Sequence, residues 1–83
     1  MELRNLQTFH YAAQFLNYSK TAQHLNFSQP AVTKQIKLLE EELHSRLFMR
    51  IGNKMYLTPA GELLQKYTTK IFSTIDEMTS EMQ

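Results

Sequence analysis

Eighty-three residues with 42% apolar side chains, 20% charged ones and a net charge of +1 suit one small domain with a modest core. The absence of cysteine excludes disulfides and thiolate metal sites, and no apolar run approaches the roughly 20 residues needed to cross a bilayer. The start MELRNLQ lacks the apolar stretch of a secretory signal, so a cytoplasmic location is expected.

Charge is unevenly placed along the chain. All nine Lys and Arg residues lie at or before Lys70 among five acids, whereas Asp76, Glu77 and Glu81 follow with no base. A positive body with a negative tail fits a module whose body meets phosphate while its tail points elsewhere.

In chain order, Leu6, Phe9, Ala13 and Leu16 recur at helical spacing with Ala12 beside them, which predicts a first helix over residues 3–16. Phe9 and Phe15 fall in or beside its apolar arc and read as core. A second helix is expected to start with Ser19 as its N-cap, to bury Ala22 and Leu25, and to stop at Asn26, a residue that tolerates left-handed backbone. Ser19, Lys20 and Thr21 then lie at a helix N-terminus, where exposed N–H groups and the dipole favour a phosphate, although ordinary capping explains Ser19 as well.

After a turn at Asn26-Phe27-Ser28, Ser28 caps a third helix and Pro30 falls in its first turn, where a missing N–H costs nothing. Val32, Ile36, Leu39 and Leu43 form one apolar stripe, and Pro30, Lys34, Lys37 and Glu41 face the other way, with Thr33 beside them and Gln29 at the entry. Two helices joined by a tight turn are the helix-turn-helix pattern. Its second helix presents N-terminal residues to base edges, so Gln29, Pro30, Thr33 and Lys34 are the base-reading candidates, with Ser28 and Lys37 on the backbone. Two lysines opposite an apolar stripe also fit a plain solvated face; the turn, the cap and the hairpin that follows favour the DNA reading.

Leu47 to Ile51 and Lys54 to Leu57 are short apolar runs around Gly52-Asn53, the pattern of a β-hairpin. With Arg50 on one arm and Asn53 and Lys54 at the tip, this wing reaches a phosphate or a minor groove. Thr58 and Pro59 then open a last helix that runs unbroken to the end. Ala60, Leu64, Tyr67, Ile71, Thr74 and Met78 follow four-three spacing, and Ile75 and Met82 extend the stripe with a shift of register. A domain this small has too little body to cover such a helix, so Leu64, Tyr67, Ile71, Ile75 and Met78 are expected at a dimer interface. The expected fold is mainly α: a winged helix-turn-helix of three helices and a two-stranded wing over residues 1–58, then a linker helix over 59–83.

The segments SQPAVTKQIKLLEEEL, RLFMR and LTPAGE together resemble the DNA-binding domain of the LysR-type bacterial transcriptional regulators. That family typically shows Ser-Gln-Pro-Ala opening the recognition helix, Leu-Glu-Glu at its end, Leu-Phe and Arg entering the wing and Leu-Thr-x-Ala-Gly closing it. These stand at Ser28 to Ala31, Leu39 to Glu42, Leu47, Phe48 and Arg50, and Leu57 to Gly61. The resemblance implies a dimer whose linker helices pair antiparallel, bound to an interrupted inverted repeat of double-stranded DNA, and a separate domain, absent from these residues, through which alone a small-molecule effector acts. Three features depart from the pattern. His44 replaces a common glycine, which implies a different C-cap geometry; Thr33 replaces a common serine; Lys34 and Lys37 stand where arginine is frequent, and lysine cannot make the bidentate fork to guanine.

Catalysis needs a nucleophile with a base, paired carboxylates or converging metal ligands. His10, His24 and His44 are dispersed without acids at ligand spacing, and Gly52 and Gly61 sit in no phosphate loop. No enzyme, cofactor or metal site is expected. A winged-helix protein-interaction module using the last helix is the alternative to DNA binding, and it has no need of cations on helix and wing together.

Overall fold

In the computed structural model, which describes all 83 residues, the chain runs α1 (Leu3–Phe15), α2 (Tyr18–Leu25), α3 (Gln29–Leu43), β1 (Phe48–Ile51), β2 (Lys54–Leu57) and α4 (Pro59–Met82). Three helices form the body, an antiparallel hairpin projects from it, and α4 lies along α1.

Each boundary has a local chemical cause. Leu16 closes α1 in left-handed backbone (φ 51°), its N–H donating to Ala12 O. Leu16 therefore leaves the expected apolar stripe and stands 38% exposed. Asn17, not Ser19, caps α2: its side-chain oxygen accepts the Lys20 N–H at 2.9 Å. The Thr21 hydroxyl donates to the Asn17 carbonyl at 2.8 Å, which fixes Asn17 at the helix start. Asn26 ends α2 at φ 63°, Ser28 accepts the Ala31 N–H at 3.2 Å, and Pro30 sits in the first turn of α3, as expected.

The core joins Leu6, Phe9, Ala12 and Ala13 of α1, Ala22 of α2, Val32, Ile36 and Leu39 of α3, and Leu47 and Phe48 at the wing root. Three alanines let the helices approach closely, and the Phe9 and Phe48 rings meet with centroids 5.5 Å apart. Buried polar groups are satisfied: Thr8 donates across to Gln35, and no buried side-chain nitrogen or oxygen lacks a partner.

The hairpin pairs Phe48 with Leu57 and Ile51 with Lys54, leaving Gly52-Asn53 as a two-residue loop. Only Gly52 there has positive φ (+63°), the pattern of a type II′ turn. At the wing base Thr58 caps α4 by accepting the Gly61 N–H at 3.0 Å, while its own N–H donates to Leu47 O at 3.0 Å and its hydroxyl to Arg46 O. Gly61 is buried against Leu47, so α4 leaves the wing root at contact distance.

Farther along, Thr68 is fully buried on α1 beside His10 Nδ1 at 3.3 Å. Leu64, Ile71 and Phe72 pack against the core. The body thus covers one side of α4 over much of its length, contrary to the expectation that it is too small to do so. The cause is the pair Gly61 and Thr68, small residues that permit close approach.

Candidate nucleic-acid interface

The helix-turn-helix geometry sets α3 with Val32, Ile36 and Leu39 buried and Gln29, Pro30, Thr33, Lys34 and Lys37 exposed. Those five exposed residues line one open hollow along the outer face of α3. A second hollow of about 460 Å³ lies beside it, where Asn17 and Ser19 of the α1–α2 junction, Gln29, and Arg50, Asn53 and Lys54 of the wing converge. Arg50 shares a strand face with Phe48, which turns it toward α2 and α3 rather than away from them.

Charge pairing is decisive for what this face can do. The molecule has two ion pairs, the N-terminal ammonium with Glu42 at 3.1 Å and Arg46 with Glu40 at 3.5 Å. Lys20, Lys34, Lys37, Arg50 and Lys54 pair with no acid, so their charge is available to an anionic partner. Glu40 is also withdrawn from the face by a second task, accepting the Leu47 N–H at 2.8 Å and so fixing where the wing begins.

Sequence reasoning placed Thr21 on the DNA backbone; the structure corrects this. Thr21 is fully buried with its hydroxyl spent on Asn17, so it cannot reach a phosphate. The Ser19 hydroxyl, read as a cap, instead donates to Gln29 Oε1 at 2.8 Å. His44 keeps the left-handed C-cap that glycine would adopt (φ 50°, ψ 41°), so the expected change of cap geometry does not occur.

Two residues that bear on the candidate face escaped sequence reasoning. Tyr18 wedges between α3 and the wing with its ring edge-on to Phe48 at 5.6 Å. Burial, reinforced by Glu40 and opposed by Arg46 and Arg50, pushes its phenol up to about 12. Arg46 is the other: 82% of its side chain is exposed at the wing root. Its place directly before Leu47-Phe48 was the available signal.

On α4 the expected interface residues divide. Leu64, Ile71 and Ile75 are half-buried, Leu64 and Ile71 against their own core and Ile75 in a groove beside α1. Tyr67 and Met78 stand 52% and 56% exposed, and Leu63, which the four-three count skipped, is 58% exposed. No three His, Cys, Asp or Glu residues gather as a metal site, and no helix is long and apolar enough to cross a membrane.

The family model described as "Bacterial regulatory helix-turn-helix protein, lysR family" matches residues 3–62. The chain belongs to the LysR family. Within that family it is 46% identical over 77 residues to the uncharacterized HTH-type transcriptional regulator YwqM of Bacillus subtilis (strain 168), covering 93% of this chain and 26% of that protein. The crystal structure of a BenM_DBD/catB site 1 DNA complex superposes with a TM-score of 0.92 at 35% identity, covering 99% of this chain and 91% of that one. A CbnR_DBD–DNA complex matches at 0.87 and 29% identity, covering 99% and 94%. This LysR-family chain therefore corresponds to the helix-turn-helix part of regulators whose structures include DNA complexes, and it spans about a quarter of the length of the curated relatives it matches.

Proposed function

We propose that this LysR-family domain binds double-stranded DNA sequence-specifically, as a homodimer on an interrupted inverted repeat, within a cytoplasmic transcription regulator that is not an enzyme. The observation that carries the reading is the set of acid-free cations lining two adjoining hollows, Lys34 and Lys37 on α3 and Arg50 and Lys54 on the wing, with Gln29 common to both hollows and Thr33 beside the lysines. Phosphate neutralisation supplies much of the affinity of such interfaces, and side chains at the head of the recognition helix supply the sequence preference.

In this assignment Gln29, Pro30, Thr33 and Lys34 meet base edges in the major groove. Ser28, Lys20 and Lys37 hold the backbone, and Arg50, Asn53 and Lys54 reach it or the adjacent minor groove from the wing. A two-fold dimer mirrors a dyad in the DNA. Residues 59–83 supply its contact through Leu63, Tyr67 and Met78, with the outer edges of Leu64, Ile71 and Ile75. An antiparallel pairing sets Lys66 and Lys70 against the partner's acidic end, where Asp76, Glu77 and Glu81 form no ion pair within their own chain. Such exposed pairs select orientation more than they add strength. Regulation by a small molecule belongs to a separate effector-binding domain.

The test is anisotropy titration against duplexes selected by the domain from a random pool. Lys34→Ala should cost about 1–3 kcal/mol on the selected duplex and much less on random DNA. Equal losses on both would show that Lys34 only holds phosphate, and a domain that selects nothing would sink the reading.

A further inference from the structure

We propose that Ser19 is a positioning residue for base recognition, its hydroxyl holding the Gln29 carboxamide with the amide nitrogen toward the DNA. This rests on the reading of α3 as the DNA-reading helix. The Ser19 hydroxyl donates to Gln29 Oε1 at 2.8 Å, joining the first turn of α2 to the first residue of α3. Both residues are exposed and line the hollow that Arg50 and Lys54 close from the wing side.

The position of Ser19 is set by the fold rather than by DNA. Asn17 caps the Lys20 N–H at 2.9 Å one residue beyond Ser19, and buried Thr21 bonds back to the Asn17 carbonyl at 2.8 Å. Ser19 is thereby held in a fixed first turn. A glutamine free in solvent loses rotamer freedom when it docks on a base, and an anchored one has already lost much of it. With Oε1 engaged by the serine, the two Nε2 hydrogens remain to donate to acceptors on a base edge, such as purine N7, guanine O6 or thymine O4. Ser19 thus acts on sequence preference through Gln29 and need not touch a base itself.

The experiment uses the 83-residue chain, a duplex it selects from a random pool, and single-base variants of one half-site. Ser19→Ala should weaken binding to the selected duplex about 2- to 12-fold, the worth of one hydrogen bond. Binding to random duplexes should stay within about twofold, as for a contact that carries sequence information. The base preference lost should be the one lost in Gln29→Ala, Ser19→Ala should add nothing in a Gln29→Ala background, and Ser19→Thr should restore binding. A Ser19→Ala loss that is equal on selected and random DNA, or that adds in full to Gln29→Ala, would overturn the proposal while leaving α3 as the reading helix. A parent chain with no preference among duplexes would overturn that underlying reading, and this proposal with it.

Discussion

Gly61→Ala tests how firmly α4 is seated on the wing root. A Cβ at this position would lie 2.9 Å from Leu57 Cδ2 and closer still to the Leu47 carbonyl oxygen. That oxygen accepts the Thr58 N–H at 3.0 Å, so moving it aside also disturbs the cap that starts α4. Alanine should favour a helical position over glycine by about 0.5–1 kcal/mol. Overpacking costs about 1–3 kcal/mol and a weakened hydrogen bond about 1 more, so the net expectation is a loss of about 1–3 kcal/mol. For a domain of this size that lowers Tm by roughly 5 to 20 °C, measured by circular dichroism on heating. Gly52→Ala is the contrasting variant: nothing lies within 4 Å of its added Cβ, and only the positive φ resists it, at about 1 kcal/mol. A Gly61→Ala domain that melts at or above the parent would refute the close approach and the rigid seating of α4 inferred from it.

Three other outcomes are expected. His44→Gly should raise stability by about 0.5–1 kcal/mol, because the left-handed backbone at this cap strains any side chain; an unchanged or lower Tm would contradict that strain. Burial beside Thr68 and Phe72 holds His10 below its usual value of 6.5, against an upward pull from Asp76. The unfolded chain therefore takes up a proton first as pH falls, so the stability contributed is present above about pH 6.5 and is lost below it. Tm should drop more between pH 7.5 and 5.5 in the parent than in His10→Gln, and parallel curves would remove His10 as a cause. Tyr67→Asp, on the exposed side of α4, should convert a sedimenting dimer to monomer while leaving Tm of the monomeric body near the parent's; a parent that is monomeric at high micromolar concentration would dispose of the α4 interface.

Much of this molecule was legible because its punctuation is chemical. Ser28 and Pro30 fix the start of α3, Thr58 and Pro59 that of α4, and Gly52 the hairpin loop, since each supplies an acceptor or a backbone angle that few residues provide. The cap of α2 was misread because Asn17 and Ser19 are both good caps, and burial of Thr21, a tertiary fact, selects the first. Leu16 fits the apolar spacing of α1 yet is the residue that leaves the helix. Periodicity on α4 located an apolar arc but not its cover, because the buried positions of α4 are Gly61 and Thr68, which hydrophobic counting ignores. The link between Ser19 and Gln29 joins two elements across the turn, and no local pattern encodes it.

If the unpaired cations of α3 and the wing meet DNA phosphates, binding must release counterions and depend on salt. Affinity for a two-half-site duplex, measured by anisotropy at several salt concentrations, should fall linearly in log K against log salt. The slope should flatten by about 0.9 for each phosphate contact removed in Lys37→Ala and in Lys54→Ala. Slopes that match the parent's in both variants would place neither α3 nor the wing tip on the phosphate backbone and would rule out this face as the DNA-binding surface.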